Sequence, residues 1–217
     1  MPSDDLPPPL PAATVVVVRE GASGPEVLLL KRSSVGVFAD MWVFPGGRVD
    51  DADRGDDELG RARSAAVREA EEEVGLALDP TQLVPFSHWT PPAVLPKRYT
   101  TWFFVAPWGG DEVEVDGHEI VGHEWMPAAV ALEAARPLAP PTYVTLHRLA
   151  EYPSIAELAA NPPEVERFVT RPSSDGTVPV MLWEGDAGYE SADASVEGAR
   201  HRMRMGPGGD LSYERRA

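Results

Sequence analysis

The segment Arg68–Leu76 reads REAEEEVGL and places four glutamates beside a single arginine. On a helix, residues three and four positions apart share a face, so Glu69, Glu72 and Glu73 converge while Glu71 points to another side. Like charges at this spacing destabilise an isolated helix by roughly 0.2–0.5 kcal/mol per pair. A solvated acidic helix is one interpretation of this crowding. A site for a divalent cation held by carboxylate oxygens is the other.

The helix around this segment is predicted to run from about Leu59 to Val74. Apolar residues recur there at steps of three and four, which is the period of an amphipathic helix. Gly75 stands where a left-handed C-terminal cap is common. Upstream, Gly46 and Gly47 end an apolar run, and glycines let a backbone approach a ligand closely. These features favour the cation site over the solvated helix.

Short apolar runs separated by turn residues predict strands on both sides of this helix. Two runs, 14–18 and 27–32, form a predicted hairpin, and a third, 41–47, leads into an acidic loop. Later strands are predicted at LVPFSHWT, at 98–108 and at 119–126, and short helices are predicted after Pro127. This order predicts an α+β fold with a mixed β-sheet between helices.

Composition divides the chain into three predicted regions. Residues 1–13 are rich in proline and are expected to form a flexible N-terminal arm. Residues 14–160 are expected to form the principal domain. After Asn161 the composition changes, with a strand-like VPVMLW run followed by glycines mixed with basic residues. We therefore expect residues 161–217 to form a C-terminal extension packed on the domain.

The overall charge limits the partners of the protein. The 217 residues include 35 acidic and 19 basic ones, for a net charge of −16. Such a surface repels phosphate backbones and anionic lipid heads, so neither duplex nucleic acid nor a membrane is an expected partner. The chain has no cysteine, which excludes disulfides, thiolate metal sites and cysteine nucleophiles. No secretory signal or run of about 18 apolar residues is apparent, so we expect a cytoplasmic protein.

The REAEEEVGL segment resembles the Nudix box, whose family pattern is a glycine, five residues, a glutamate, seven residues and then R-E-U-x-E-E-x-G-U, where U is aliphatic. The positions that match this pattern are Gly47, Arg68, Glu69, Ala70, Glu72, Glu73, Gly75 and Leu76. The resemblance extends over roughly Thr14 to Leu158. It implies an α/β/α sandwich and an enzyme that hydrolyses a diphosphate linked to another group.

The first half of the box departs from the pattern. The residue that follows Gly47 after a gap of five is Asp53 instead of glutamate, and fourteen residues instead of seven separate it from Arg68. We interpret the stretch ADRGDDELGR as carrying a seven-residue insertion in the loop before the helix. Asp53, Asp57 or Glu58 then takes the place of the first acid.

The resemblance also implies roles for individual residues in a reaction that uses Mg²⁺ or Mn²⁺. Glu72 and Glu73 are implied metal ligands, and a carbonyl of the glycine pair, with Gly47 as the matching position, is an implied further ligand. Glu69 is implied either as a ligand or as the catalytic base. Arg68 is implied to hold a glutamate in place through a bidentate pair.

Charged residues outside the box are further candidates. Family members often take another acid from a neighbouring strand or loop, and Glu119 and Glu124 are the candidates here. Arg32, Lys97 and Arg98 stand at predicted strand ends, where loops meet a site, and are candidates for contact with substrate phosphates. Each of these residues is equally compatible with an ordinary exposed position.

The stretches HWTPPAVLPKRYTTWFFVA and PLAPPTYVTLHRLA are similar to the Nudix subgroup that contains the peroxisomal coenzyme A diphosphatases. Coenzyme A or an acyl derivative is therefore the first expected small-molecule substrate, followed by nucleotide sugars and dinucleotides. A catalytically silent Nudix domain that senses a nucleotide metabolite is the alternative. Isopentenyl diphosphate isomerase chemistry is disfavoured, because that family uses a cysteine. Homodimers are frequent among relatives, and the C-terminal extension offers a surface for one.

Overall fold

A computed structural model describes the chain in six ranges: 7–22, 24–35, 38–95, 97–110, 112–134 and 136–217. The chain forms two compact units. The first, which we call the N-terminal unit, comprises residues 10–88 and 101–166. The second, which we call the C-terminal unit, comprises residues 89–100 and 167–217 together with the start of the chain.

The N-terminal unit is built on a β-sheet in which five strands follow the order β3-β2-β1-β6-β5, with β4 paired to β1 and β7 paired to β2. The hairpin of β1 and β2 is antiparallel, and so are the pairs of β2 with β3 and β7. The strand bounds are β1 Leu10–Gly21, β2 Gly24–Arg32, β3 Trp42–Val43, β4 Gly46–Arg48, β5 Val84–Thr90, β6 Tyr99–Pro107 and β7 Ile120–Pro127.

Helices cover both faces of this sheet. Since side chains alternate along a strand, Val15 and Val17 of β1 face one way and pack in one core with the alanines of the long helix α1. Val18 faces the other way and lines a cavity with Leu149 and Leu158 of two later helices. The predicted sandwich is therefore confirmed. The helix bounds are α1 Glu58–Val74, α2 Ala128–Glu133, α3 Pro140–Leu149 and α4 Ile155–Ala160.

Both ends of α1 are capped, and the cap at Gly75 was predicted from the sequence. The side chain of Asp57 accepts a hydrogen bond from the Gly60 N–H at the N-terminus, which satisfies one of the free donors of the first turn. Gly75 takes the left-handed conformation, with φ of 70°, at the C-terminus, where a Cβ would be strained. Helix α1 therefore stops directly after the glutamates.

The C-terminal unit contains a four-stranded antiparallel sheet in the order β12-β11-β10-β9. Its aromatic core stacks Trp89 on Phe168 with 4.0 Å between ring centroids, and Trp183 meets both rings edge-on. Its strand bounds are β8 Glu166–Val169, β9 Arg171–Ser174, β10 Pro179–Leu182, β11 Arg200–Met205 and β12 Leu211–Arg216.

The first strand begins earlier than the sequence predicts. We expected regular structure from Thr14, at the end of the proline-rich segment, but β1 starts at Leu10. The reason is a long-range pairing, because Ala12 and Ala13 stand opposite Arg48 and Gly47 of β4. Residues 10–13 are therefore part of the sheet and not of a flexible arm, while residues 1–6 lie outside the described ranges. Among the described helices, none is both long and apolar enough to cross a lipid bilayer.

Candidate active site

The last two turns of α1 present an acidic face, which we define as Glu69, Glu72 and Glu73. The side chains of Glu69 and Glu73 are only 16% and 9% exposed, whereas that of Glu72 is 59% exposed. Glu71 is exposed and has no part in this face, as its position on the helix predicts. A buried carboxylate with a second, partly buried one on the same turn is costly unless nearby groups compensate their charge, so the neighbours of this face decide its chemistry.

Strand β4 lies directly against the acidic face. The backbone N–H of Gly46 donates to Glu73 Oε2 at 2.9 Å. A Cβ added to Gly47 would stand 2.4 Å from the Glu69 carboxylate, and one added to Gly46 would stand 2.4 Å from the carbonyl oxygen of Ala13. Gly46 therefore has no room for a side chain because of the β1 backbone, whereas a side chain at Gly47 would have to displace the Glu69 carboxylate. The predicted close approach of a ligand at the glycine pair is made by a carboxylate of the protein itself.

Arg68 is the hub of the hydrogen bonds at this face. Its Nε and Nη2 atoms donate to the two carboxylate oxygens of Asp53, each at 3.1 Å. Its Nη1 atom donates to Glu69 at 2.8 Å and to Glu72 at 3.0 Å, and Nη2 also reaches the Arg48 carbonyl at 2.9 Å. The bidentate partner is therefore Asp53 of the preceding loop, and Arg68 holds Glu69 and Glu72 through single hydrogen bonds, so the expected bidentate pair with a glutamate is corrected.

This geometry selects among the three candidates for the first acid of the box. Asp53 is buried and paired with Arg68. Asp57 is engaged as the helix cap. Glu58 accepts a hydrogen bond from the Trp102 indole at 2.8 Å, at the opposite end of α1 from the acidic face. Asp53 is the only one of the three in contact with the acidic cluster through Arg68 in this structure.

The electrostatics of the face show that its negative charge is not fully compensated. The pKa of Glu73 is raised to about 8, mainly by burial and also by the neighbouring Glu69 carboxylate, and the hydrogen bond from Gly46 and the charge of Arg32 oppose the rise only in part. Burial also raises the pKa of Glu69, although Arg68 opposes this. Asp53 differs, because hydrogen bonds from Arg68 and the Asp50 backbone outweigh burial and lower its pKa. Strongly perturbed carboxylates of this kind are typical of functional sites.

Arg32 connects the face with an acid from outside the box. Its Nη2 atom donates to Glu119 at 2.9 Å, and its Nη1 atom lies 3.9 Å from Glu73. The Ser33 N–H donates to the Glu119 carbonyl at 2.8 Å, so the ends of β2 and β7 hold the two residues together. Glu124 has a different partner, because Arg136 donates to its carboxylate at 3.1 Å. Of the two predicted extra acids, the structure brings Glu119 to the acidic face.

The other two predicted phosphate contacts belong to the C-terminal unit. The ammonium group of Lys97 lies 5.6 Å from the ring centroid of Tyr99. Arg98 donates to the Pro7 carbonyl at 2.6 Å. Their role in substrate binding stays a prediction.

The donor set of the acidic face fits a hard divalent cation. Within the described ranges, no three histidine, aspartate or glutamate side chains are already arranged to hold a metal ion, since Glu72 turns toward Arg68. The face nevertheless offers only oxygen donors, Glu73 is buried and Glu69 partly buried, and the charge of Glu73 is only partly compensated by its neighbours. Oxygen ligands with excess negative charge are what Mg²⁺ and Mn²⁺ prefer.

A cavity of about 200 Å³ lies elsewhere in the N-terminal unit. It is bordered by apolar side chains of the β1–β2 hairpin, α3 and α4, and contains none of the predicted site residues. The candidate site is therefore located by the chemistry of the acidic face and not by this cavity.

The family model described as the NUDIX domain matches residues 8–149, well over half of the chain. The chain belongs to the Nudix family. This confirms the family inferred from REAEEEVGL and the prediction of a Nudix hydrolase, while the coenzyme A diphosphatase subgroup stays a prediction. No curated protein matches the sequence.

Solved Nudix structures share this fold. The chain matches a NUDIX hydrolase from Alicyclobacillus acidocaldarius at 23% identity and a TM-score of 0.64, over 71% of this chain and 96% of that one. It matches a MutT NUDIX hydrolase from Burkholderia pseudomallei at 25% identity and a TM-score of 0.51, over 65% and 98%. The NUDIX domain of Shewanella oneidensis NrtR, solved in complex with ADP ribose, matches at 18% identity and a TM-score of 0.53, over 67% and 88%.

Proposed function

We propose that this Nudix hydrolase cleaves the diphosphate linkage of a nucleoside diphosphate derivative in a reaction that depends on Mg²⁺ or Mn²⁺. The observation that carries the proposal is the buried Glu73 beside the partly buried Glu69, both held against the glycines of β4, with the charge of Glu73 only partly compensated. A purely structural helix gains nothing from such a pair, because buried charge without full compensation lowers stability.

The acidic face is the proposed metal site. Glu69, Glu72 and Glu73 would hold the cation, with the carbonyl of Gly47 as a further ligand. When bound, a divalent cation neutralises the charge of phosphate oxygens and lowers the pKa of a bound water. Arg68 already restrains two of the three carboxylates, so it would orient the donors before a cation arrives.

The remaining charged groups have complementary proposed roles. The guanidinium of Arg32 would bind a substrate phosphate, for which its planar set of donors is suited, and its present partner is an exposed carboxylate. Glu119 and Glu69 are the two candidates for the base that takes a proton from the attacking water. Lys97 and Arg98 stay candidates for contact with a substrate phosphate.

The substrate class is proposed from two sources. The resemblance to the coenzyme A diphosphatase subgroup favours coenzyme A or acyl-coenzyme A, with nucleotide sugars and dinucleotides next. ADP ribose, held by the Shewanella domain, is itself a nucleoside diphosphate derivative, which supports this broader class. We also propose a cytoplasmic location, and a homodimer as the assembly to test by light scattering.

The experiment is a hydrolysis panel. The protein is incubated with Mg²⁺ or Mn²⁺ and with coenzyme A, acetyl-coenzyme A, ADP ribose, a nucleotide sugar and a dinucleotide, and phosphorylated products are followed by chromatography. We expect turnover of at least one compound, its loss with a chelator, and its loss in Glu72→Gln with the fold intact. Glu71→Gln, one residue away on another side of the helix, is the matched control and should keep full activity.

Two results would contradict the proposal. Binding of panel compounds without turnover of any would favour the alternative of a silent nucleotide sensor. Full activity in Glu72→Gln would show that the acidic face is not the site, even with the family established.

A further inference from the structure

The stretch between Asp53 and Arg68 is twice as long as the family pattern, yet the two side chains meet in a bidentate pair. The segment predicted to carry the insertion, Ala52–Arg61, is loop as far as Asp57 and helix from Glu58. Part of the extra length therefore lengthens α1 at its N-terminal end. A longer connection samples more conformations, so something in the chain must hold Asp53 in place.

Arg61, in the first turn of α1, makes the contacts that do this. Its Nη2 atom donates to the Asp50 carbonyl at 2.9 Å, and its Nε atom donates to the Asp53 carbonyl at 3.3 Å. Between these two carbonyls the loop closes a tight turn, in which the Asp50 N–H donates to Asp53 Oδ2 at 2.8 Å. One guanidinium thus fixes both ends of the turn that presents the Asp53 carboxylate.

A second, independent contact presses the loop onto the helix. A Cβ on Gly55 would stand 2.3 Å from the backbone of Gly60 and Arg61, and the Gly55 Cα lies 3.1 Å from the position of a Cβ on Gly60. Two glycines therefore meet where loop and helix touch. One helical turn further on, the Ser64 hydroxyl accepts a hydrogen bond from the Arg54 N–H at 3.3 Å.

We infer that the loop and the first turns of α1 form a positioning device, and that Arg61 is its principal residue. Arg61 holds the turn at Asp53, Asp53 orients Arg68, and Arg68 restrains Glu69 and Glu72 of the acidic face. The extra residues thereby restore a contact that their own length would otherwise loosen. The inference rests on the proposed function for its catalytic consequence, while the coupling of Arg61 to Arg68 is measurable without any substrate.

The test compares Arg61→Met with Arg63→Met. Arg63 lies on the same helix and also donates to a loop carbonyl, that of Pro80 at 3.2 Å, so it is a matched control for the loss of one arginine. In the cation-free protein, the Nε–H resonance of Arg68 is observed by ¹⁵N NMR. We expect this N–H to be slow to exchange with water in the wild type and in Arg63→Met, and at least about tenfold faster in Arg61→Met.

Activity gives the second measurement. On the panel compound that turns over fastest, kcat should fall about tenfold in Arg61→Met with KM nearly unchanged, which is the lower end of the range for residues that support metal ligands. In an Asp53→Asn background, Arg61→Met should cost nothing further in kcat, because both substitutions break the same chain of contacts. Additive losses would overturn the inference.

The exchange rate of the Arg68 Nε–H tests the coupling of Arg61 to Arg68 even if the wild type hydrolyses no compound. In that case the proposed function fails, and the positioning role of Arg61 is tested separately. Wild-type protection of the Arg68 Nε–H in folded Arg61→Met would overturn the inference. If Arg61→Met does not fold, Arg61→Lys keeps one of the two hydrogen bonds and should show an intermediate exchange rate. Wild-type protection in that variant would equally overturn it.

Discussion

Two buried carboxylates, Asp186 in the C-terminal unit and Glu73 in the N-terminal unit, differ in how far neighbouring groups compensate their charge. In the C-terminal unit, Asp186 accepts hydrogen bonds from Arg202 Nε at 2.7 Å and Nη2 at 2.6 Å, and from the backbone N–H groups of His201 and Gly188, each at 2.9 Å. Burial alone would raise the pKa of Asp186, but these bonds outweigh it and lower the pKa to about 2. In the N-terminal unit, Glu73 has one backbone donor, and its pKa rises to about 8.

The difference separates a structural pair from a candidate site. Arg202 also donates to the Ala194 carbonyl at 2.7 Å, so the pair ties β11 to the loop that precedes it, with every charge compensated. At the acidic face, by contrast, neighbouring groups compensate the charge of Glu73 only in part, which supports the proposed metal site. A buried charge that neighbouring groups compensate fully indicates a structural role. A buried charge that is compensated only in part is typical of a functional site.

The largest expected effect comes from breaking the ion pair between Asp186 and Arg202. Asp186→Asn leaves Arg202 buried without a counter-charge, and we expect a loss of about 3–5 kcal/mol in the free energy of unfolding of the C-terminal unit. Urea denaturation followed by tryptophan fluorescence measures it. The double variant Asp186→Leu/Arg202→Met removes both charges and should recover part of the loss. A loss below about 1 kcal/mol in the single variant would show that the pair is not a structural core.

The second prediction concerns Glu73 of the acidic face. Its replacement should raise the free energy of unfolding, whereas Asp186→Asn lowers it. Because the folded pKa of Glu73 is raised above its ordinary value of 4.5 to about 8, the ionised form costs stability as pH rises between these values. At pH 7.5 the wild-type Glu73 must take up a proton on folding, and Glu73→Gln need not, so without divalent cations the variant should be about 1–2 kcal/mol more stable than the wild type. Its hydrolytic activity should fall at least about 100-fold.

Urea denaturation and the hydrolysis panel measure both effects on the same preparations, with Glu71→Gln as the control that changes neither. A Glu73→Gln protein that is less stable and fully active would reverse the assignment of the acidic face.

The third prediction sharpens the comparison through pH. The folded pKa of Asp186 lies below its ordinary value of 3.8, at about 2. Its contribution is therefore fully present above about pH 4 and is lost as pH falls through the folded pKa, up to about 2.5 kcal/mol. The Asp186→Leu/Arg202→Met variant lacks this group. Its unfolding free energy should decline less between pH 4 and pH 2 than that of the wild type, and equal declines would contradict the account.

The smallest predicted effect distinguishes two adjacent glycines. In Gly47→Ala the new methyl group meets the Glu69 carboxylate, which can move, so we expect a loss of activity of about tenfold with little change in stability. In Gly46→Ala it meets the Ala13 carbonyl, which cannot move without shifting β1, so we expect a loss of stability of about 1–3 kcal/mol. Hydrolytic activity per folded molecule and thermal unfolding are measured for both variants. The prediction is wrong if both variants lose the same property.

The features that could be predicted from the sequence are those that depend on residues close together in the chain. The helix expected from Leu59 to Val74 is found at Glu58–Val74, because its period and caps are encoded in consecutive residues. The convergence of the glutamates followed from helix geometry alone. The start of β1 at Leu10 did not, since it depends on pairing with β4, more than thirty residues away in the chain.

The same limit applies to the site. Spacing could not choose among three candidate acids, because the pairing of Asp53 with Arg68 and the contacts of Arg61 with two loop carbonyls are made across the loop and not between neighbouring residues. Neither the partnership of Arg32 with Glu119 nor that of Glu124 with Arg136 leaves a signal in the sequence, since both are contacts across the fold. An arginine in the first turn of a helix after a long loop was the one available hint of the positioning device.

Binding of Mn²⁺ measured by electron paramagnetic resonance, without substrate, tests most directly whether the uncompensated charge of the acidic face belongs to a metal site. The wild type and Glu71→Gln should bind Mn²⁺ with the same affinity, and Glu73→Gln should bind it at least about tenfold more weakly. Equal affinity in Glu73→Gln and wild type, or no binding by the wild type, would contradict the account.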